Sequence, residues 1–107
     1  ETRRLVDRSV LQALGPAGVL VNVARGVVDD DALAAALSTG TIAAAGLDVY
    51  ENEPDVPAAL RSLENVVLTP HVGSATAETR RAMADGTVAN LTAHFAGRPL
   101  PSPVAAT

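Results

Sequence analysis

Val66-Val67-Leu68-Thr69-Pro70-His71-Val72-Gly73-Ser74 passes from an apolar run through Thr-Pro to a histidine, and then to Gly-Ser. The apolar residues predict a buried strand over 65–69, which the proline and the glycine bring to an end. Open α/β sheets bind their ligands at the carboxyl ends of the strands. The imidazole of His71 therefore stands where such a sheet would carry its chemistry.

Two earlier apolar runs also lead into charged residues. Gly18–Val23 is followed by Arg25, and Ile42–Leu47 is followed by Asp48 and Glu53. The first of these runs shows no clear alternation, so we expect a strand buried on both faces, as in a parallel sheet covered by helices. An arginine, two carboxylates and a histidine, each just past an apolar run, could converge on one crevice.

Helical patterns alternate with the three predicted strands. Asp7 caps the first helix, Asp29 or Asp30 caps the second, and Ser74 or Thr76 caps the last. Aspartates 29–31 lie where the positive end of the helix dipole favours negative charge. In the second helix, residues 32, 33, 36 and 37 form the buried stripe, and in the last helix residues 84, 88, 91 and 95 share one apolar face. The predicted helices are Arg8–Leu14, Asp31–Ser38, one or two turns in Ala58–Leu63, and a long helix ending at about Ala96.

This order of elements implies right-handed βαβ units and a parallel sheet of the α/β class. Three strands with two exposed edges make a poor sheet on their own, so the pattern predicts half of a doubly wound domain. Prolines 99, 101 and 103 exclude regular helix or a central strand after residue 97, so the end of the chain is predicted to leave this layer as a tail.

Composition excludes several classes of function. The apolar content of 48% is enough for a core, whereas the net charge of −4, without a basic patch containing aromatic residues, argues against a nucleic-acid partner. There are no cysteines, which excludes thiolate metal sites and agrees with a reducing, cytoplasmic location. No apolar run approaches the ~20 residues of a membrane span. His71 with its neighbouring carboxylates matches no metal-ligand spacing, so we expect no metal.

Three motifs resemble those of the D-isomer-specific 2-hydroxyacid dehydrogenases, most closely the glyoxylate/hydroxypyruvate reductase branch. They are Asn-Val-Ala-Arg-Gly at 22–26, Gly-Leu-Asp-Val-Tyr-Glu-Asn-Glu-Pro at 46–54, and Thr-Pro-His-Val-Gly-Ser at 69–74. The resemblance runs from Thr2 to Val104. It implies that residues 1–97 are the C-terminal part of an NAD(P)-binding Rossmann domain, and that 98–107 is a tail returning toward a substrate domain. Because the family's Gly-rich phosphate loop and substrate domain are missing from these residues, the chain resembles a C-terminal fragment.

By the same resemblance, Arg25 holds the substrate carboxylate and His71 is the acid/base. A carboxylate beside His71 would stabilise the protonated ring and fix its tautomer. Glu51 and Glu53 compete for this role, and we favour Glu53 because the family places it just before the proline. A glutamate here, where formate dehydrogenases of the wider family have glutamine, favours keto-acid reduction.

The resemblance also implies a set of cofactor contacts. Asp48 would bind the carboxamide of the nicotinamide, and the backbone around Val23-Ala24 and Gly73-Ser74 would line the cofactor. The full set of predicted cofactor-binding residues is Val23, Ala24, Arg25, Asp48, His71, Gly73 and Ser74. The residue that distinguishes NAD from NADP in this family lies upstream of these residues, so both cofactors stay open.

The implied activity is hydride transfer between NAD(P)H and a small 2-keto acid such as glyoxylate or hydroxypyruvate, in a protein that is a homodimer at full length. Two alternatives remain. The first is a non-catalytic, dinucleotide-binding regulatory protein that has kept the fold. The second is an isolated fragment without activity of its own, as the missing phosphate loop and the exposed sheet edges suggest.

Overall fold

A computed structural model describes residues 2–104, so the last three residues of the predicted tail lie outside the described part. The chain divides into two compact units, residues 1–73 and 74–107. The alternation of helices and strands predicted from the sequence is confirmed. The elements are α1 (Arg8–Leu14), β1 (Val19–Asn22), α2 (Asp30–Ser38), β2 (Ala44–Leu47), α3 (Ala58–Arg61), β3 (Val66–Leu68) and α4 (Ala77–Phe95).

Short polar side chains and glycines set the helix ends, as expected. The carboxylate of Asp7 accepts hydrogen bonds from the backbone N–H groups of Ser9 and Val10 at 2.9 and 3.1 Å, which caps α1. Gly15 follows α1 with φ at +78°, a conformation that favours glycine. At α2, Asp29 accepts from the backbone of Ala32 at 3.0 Å.

The three strands form one parallel sheet in the order β1-β2-β3. Each strand is shorter than the apolar run that predicted it, because residues at one or both ends of the run do not pair in the ladder. Leu47 at the end of β2 lies in register with Asn22 at the end of β1 and with Leu68 at the end of β3. The carboxyl ends of all three strands are therefore level, so the segments that follow them leave the sheet at the same edge.

The core of the first unit lies on one face of the sheet. Its fully buried side chains come from α1, α2, α3 and the segment before β2: Leu11, Leu33, Leu60 and Ile42. The predicted stripe of α2 is buried at Leu33, Ala36 and Leu37, whereas Ala32 is half-buried. The sheet contributes alternate residues to this cluster, namely Leu20, Ala45, Leu47, Val66 and Leu68.

The opposite face of the sheet is exposed in the described residues. Val19, Val21 and Val67 are 58%, 69% and 66% exposed. The prediction that the first strand is buried on both faces is therefore wrong for this chain. The physical reason is that alternate side chains of a strand point to opposite faces, and the core of α1, α2 and α3 packs against one of them.

The second unit is built around α4. The side-chain oxygen of Thr76 accepts a hydrogen bond from the backbone of Thr79 at 3.2 Å, which confirms one of the two predicted caps. After the helix, Gly97 has φ at +64°. Ser102 then donates its backbone N–H to the Asn90 side chain at 3.1 Å, so the Pro-rich segment folds back along α4.

The residues of the predicted apolar face lie on one side of α4, but they are not buried. Val88, Leu91 and Phe95 are more than half exposed, and Ala84 is exposed as well. Ala93 is the buried residue of this helix. Among residues 2–104, no helix is both long enough and apolar enough to cross a membrane.

Candidate active site

The carboxyl edge of the sheet brings together three of the predicted residues. Arg25 follows β1, Glu53 lies in the loop after β2, and His71 follows β3. Nδ1 of His71 lies 2.8 Å from Oε2 of Glu53, and Nη2 of Arg25 lies 3.3 Å from the same oxygen. The level strand ends place these side chains, which are 28 and 18 residues apart in sequence, around one carboxylate.

Glu53 is the carboxylate that pairs with His71. Its other oxygen, Oε1, accepts the backbone N–H of Tyr50 at 3.1 Å. The hydrogen bond with His71 and then that from Tyr50 hold the pKa of Glu53 below its ordinary value, so Glu53 is ionised at neutral pH. Glu51, the competing candidate, instead lies against Arg4, with Oε2 at 2.9 Å from Nη2.

The charge of Glu53 assigns the tautomer of His71. An ionised carboxylate only accepts hydrogen bonds, so Nδ1 of His71 carries the proton in this contact. Nε2 is then the ring nitrogen available for exchanging a proton with a bound molecule. The His71 side chain is 47% exposed, which is compatible with access from outside the chain.

Asp48 anchors the backbone around His71. Its Oδ1 accepts the Thr69 hydroxyl and, at 2.8 Å, the backbone N–H of Val72, while Oδ2 accepts the N–H of Gly73 at 2.8 Å. These bonds, with that of Thr69 the largest cause, hold the pKa of Asp48 below its usual range. The carboxylate is thus ionised and holds both sides of His71.

Residues 69–73, here called the histidine loop, have an unusual backbone at two positions. His71 has φ at +55°, in the left-handed region that non-glycine residues seldom adopt. A Cβ atom at position 73 would lie 3.0 Å from Oδ2 of Asp48, so glycine allows the close approach there. The Asp48 contacts therefore hold the imidazole in a conformation that local sequence alone does not favour.

Two residues outside the predicted set of site residues also stabilise this edge of the sheet. Tyr50 is buried, and the backbone carbonyls of Leu47 and Thr69, 3.1 and 2.8 Å from its hydroxyl oxygen, share its single hydroxyl proton, which links the ends of β2 and β3. Asn22 is buried too and donates from Nδ2 to the carbonyl of Val49 at 2.9 Å. Both lie within the recognised motifs, but their partners are visible only in the folded chain.

The predicted cofactor-lining residues lie on exposed backbone. Val23 is 72% exposed, and Ala24, also exposed, donates its N–H to Oδ1 of Asn22 at 3.1 Å. Gly73 is bound to Asp48, and Ser74 is exposed and begins the second unit. Val23 follows Asn22, whose carbonyl accepts the backbone N–H of Asp48 at 3.0 Å. An exposed apolar side chain and a carboxylate that can accept amide protons suit the chemistry of a nicotinamide ring and its carboxamide. The sequence contains no Gly-x-Gly-x-x-Gly loop for the pyrophosphate.

A cavity of about 340 Å³ lies beside His71 and Glu53. This volume is within the range of small-molecule sites. Apart from its polar edge, the cavity is lined by apolar groups, and its lining residues are Tyr50, Glu53, Pro54, Val56, Leu68, Thr69, Pro70 and His71. Among the residues that the structure covers, no group of three or more His, Cys, Asp or Glu side chains is arranged to hold a metal ion.

A parallel α/β sheet with charged side chains gathered at the carboxyl ends of its strands is the arrangement found in nucleotide-binding domains of the Rossmann type. Residues 1–73 match the family described as D-isomer specific 2-hydroxyacid dehydrogenase, NAD binding domain. The chain belongs to this family, and the resemblance drawn from the three motifs is confirmed.

The sequences of known relatives align with most of this chain. Hydroxyphenylpyruvate reductase of Plectranthus scutellarioides is 57% identical over 105 residues, which are 97% of this chain and 34% of the relative. Glyoxylate reductase of Pyrococcus furiosus is 52% identical over 98 residues, which are 91% of this chain and 29% of the relative. The chain spans about a third of the length of the curated relatives that it matches.

The fold is also found in a solved structure of an NADPH-dependent glyoxylate/hydroxypyruvate reductase from Sinorhizobium meliloti, in complex with NADP and malonate. That structure superimposes with a TM-score of 0.93 at 56% sequence identity, over 97% of this chain and 33% of the other. The predicted fold class, a Rossmann-like parallel sheet that is incomplete in these residues, is confirmed.

Proposed function

We propose that the complete protein is an NAD(P)-dependent oxidoreductase that reduces a small 2-keto acid of the glyoxylate or hydroxypyruvate type to its D-2-hydroxy acid. One observation carries this proposal. Arg25, Glu53 and His71 meet at the carboxyl edge of a parallel sheet, joined through one carboxylate oxygen. The relatives named as glyoxylate and hydroxyphenylpyruvate reductases support the same class of substrate.

His71 is the proton donor in this proposal. The nicotinamide, when bound, supplies the hydride that adds to the carbonyl carbon. Negative charge then develops on the carbonyl oxygen, and Nε2–H of a protonated His71 transfers its proton there, leaving neutral imidazole. In the reverse direction the neutral Nε2 accepts the hydroxyl proton. Glu53 stays ionised and holds Nδ1–H throughout.

Arg25 is the substrate-binding residue in this proposal. Its side chain is 69% exposed, and the contact with Glu53 uses one nitrogen, Nη2. The other N–H groups of the guanidinium can bind a substrate carboxylate through two parallel hydrogen bonds. Such binding fixes the neighbouring carbonyl close to Nε2 of His71, and positioning of this kind accelerates reactions.

The cofactor would lie along the exposed edge. The backbone at Val23, Ala24, Gly73 and Ser74 would line it, Arg25 and His71 would lie on the substrate side, and Asp48 would accept the N–H of the nicotinamide carboxamide. Asp48 already receives three hydrogen bonds, but two carboxylate oxygens offer about four acceptor positions. One position is therefore free for the carboxamide.

Asp48→Asn tests this dual role. We expect an about tenfold rise in the KM for NAD(P)H, because an amide has one acceptor oxygen where the carboxylate has two, so the carboxamide N–H would lose its acceptor. The amide nitrogen would also face the backbone N–H of Gly73 instead of accepting it. We also expect an about tenfold fall in kcat, because the histidine loop loosens. Thr69→Val is the control, since it removes one bond to Asp48 and should leave the cofactor KM unchanged. A normal cofactor KM in Asp48→Asn would exclude the proposed contact.

A reductase assay of the complete protein tests the whole proposal. We expect turnover of glyoxylate and hydroxypyruvate with NADH or NADPH. The turnover is measured as the loss of absorbance of the reduced nicotinamide. A complete protein that binds the dinucleotide but reduces no 2-keto acid would instead be the regulatory protein considered above. A protein that exists naturally as these residues alone and binds no dinucleotide would be an inactive half-domain.

We also propose a cytoplasmic location, which the absence of cysteines supports. The family resemblance supports the division into a Rossmann portion at 1–97 and a tail at 98–107 that returns toward a substrate domain.

We further propose that the complete protein is a homodimer, which rests on the same family resemblance. Size-exclusion chromatography with light scattering on the complete protein measures the oligomeric state directly.

A further inference from the structure

The segment that precedes α1 is tied to the loop that carries Arg25. The backbone N–H of Arg4 donates to the carbonyl of Gly26 at 2.8 Å, and that of Val6 donates to Val27 at 2.9 Å. Val6 also forms a parallel bridge with Val28. Residues 4–6 therefore run beside the backbone that directly follows Arg25.

The side chain of Arg4 reaches across to the loop that carries Glu53. Its Nε lies 3.0 Å from Oε1 of Glu51, and its Nη2 lies 2.9 Å from Oε2, so the guanidinium grips both carboxylate oxygens. The Glu51 side chain is only 9% exposed. Its backbone N–H is held as well, by Oδ2 of buried Asp30 at 2.9 Å.

Arg4 is the main positive charge in an acidic neighbourhood. Glu51 lies next to the aspartates that open α2, and Nη1 of Arg4 is 3.4 Å from Oδ2 of Asp29. Burial first, and then the negative charges of Glu51 and the neighbouring aspartates, raise the pKa of Asp30. Arg3 adds a single contact to Glu51 at 3.4 Å, from a side chain that is 70% exposed. Without Arg4, the nearly buried Glu51 would face these carboxylates with little compensation.

The position of Glu51 is linked directly to that of Glu53. The Glu53 side chain accepts the backbone N–H of Tyr50, which closes a turn that contains Glu51. A displacement of Glu51 therefore moves the carboxylate that binds both Nδ1 of His71 and Nη2 of Arg25.

We propose that Arg4 is a positioning residue for the reaction. By binding both carboxylate oxygens of Glu51, Arg4 fixes the position of Glu53. Glu53 in turn fixes the positions of His71 and Arg25. This inference rests on the proposed function. It assigns a role to a residue that is not among the proposed substrate- and cofactor-binding residues and that lies outside the three sequence motifs.

The test is steady-state kinetics of the complete protein with glyoxylate and NADPH or NADH. We expect Arg4→Ala to lower kcat about tenfold, with less than a threefold change in the KM for glyoxylate, because small misplacements of reacting groups cost rate. Arg3→Ala is the matched control, since it removes the same charge from the adjacent residue, and it should stay within twofold of wild type. Arg4→Lys keeps the positive charge but cannot bind both carboxylate oxygens of Glu51 in parallel. We therefore expect a kcat between those of Arg4→Ala and the wild type.

A double-mutant cycle separates positioning from general stabilisation. If Arg4 acts through Glu53, adding Arg4→Ala to Glu53→Gln should lower kcat less than twofold further. The same tenfold loss in both backgrounds would overturn the inference, as would an Arg4→Ala enzyme that behaves like Arg3→Ala. If Arg4→Ala does not fold, Arg4→Lys is carried through the same cycle.

The failure of this inference differs from the failure of the proposed function. An active wild type in which Arg4 variants match Arg3→Ala overturns the positioning role alone. A wild type that binds dinucleotide but reduces no 2-keto acid overturns both.

Discussion

His71→Gln in the complete protein is expected to lower kcat for 2-keto acid reduction by about 10²- to 10⁴-fold, the usual range for loss of a general acid. Glutamine can occupy much of the same space, but it cannot supply a proton to the developing alkoxide. The KM for the keto acid should change much less, because Arg25 still holds the carboxylate. Steady-state kinetics with saturating NADPH or NADH, at several keto-acid concentrations, separate the two constants.

The chain supplies its own control for this substitution. His94 is its other histidine and is an exposed residue of the last turn of α4. His94→Gln makes the same chemical change away from the proposed site, so its kcat should lie within twofold of wild type. A His71→Gln enzyme with near-normal kcat would exclude His71 as the acid/base and with it the mechanism.

Arg25→Ala is expected to raise the KM for the keto acid by about 30- to 300-fold, because two charge-assisted hydrogen bonds to the substrate carboxylate are lost together. Arg25→Lys retains a positive charge but not the planar fork, and an about tenfold rise is expected. The kcat at saturating substrate should fall less than KM rises, since His71 keeps its pairing with Glu53.

Arg61→Ala is the control for the charge change, because Arg61 is exposed in α3 and lies outside the proposed site. It should leave both constants within twofold of wild type. If Arg25→Ala lowered kcat while the KM for the keto acid stayed normal, Arg25 would not be the carboxylate-binding residue. Its contact with Glu53 would then be its main role.

Much of the candidate site was predictable because its signals are local. The apolar runs end at, or one residue beyond, the ends of the strands, and parallel strands bring their carboxyl ends together. Arg25, Asp48, Glu53 and His71 therefore lie at one edge of the sheet, as predicted. The choice of Glu53 over Glu51 came from the family resemblance, and the distance of 2.8 Å to His71 agrees with it.

Other features could not be predicted because they depend on partners distant in sequence. The ion pair of Arg4 with Glu51 joins residues 47 positions apart. Nothing in the neighbouring sequence distinguishes Arg4 from Arg3. The bonds from Asp48 to the histidine loop cross 24 and 25 residues. Sequence patterns report periodicity and turn chemistry, whereas such contacts follow from how whole elements pack.

Burial was the property that sequence patterns described least well. The apolar run around Val21 and the stripe of α4 at Leu91 both suggested contact with other elements, yet both are exposed in the described residues. An apolar residue shows that a surface is suited to burial. Whether it is buried depends on which elements are present to cover it.

The sequence by itself determined the order and type of the elements, the cap of α1, two candidate caps each for α2 and α4, and the family, because each depends on residues close together in the chain. The tertiary structure alone decided that Oε2 of Glu53 binds both His71 and Arg25, that Asp48 anchors the histidine loop, and that Arg4 holds Glu51. These contacts arise because the parallel register brings three strand ends level, so side chains far apart in sequence come within hydrogen-bonding distance.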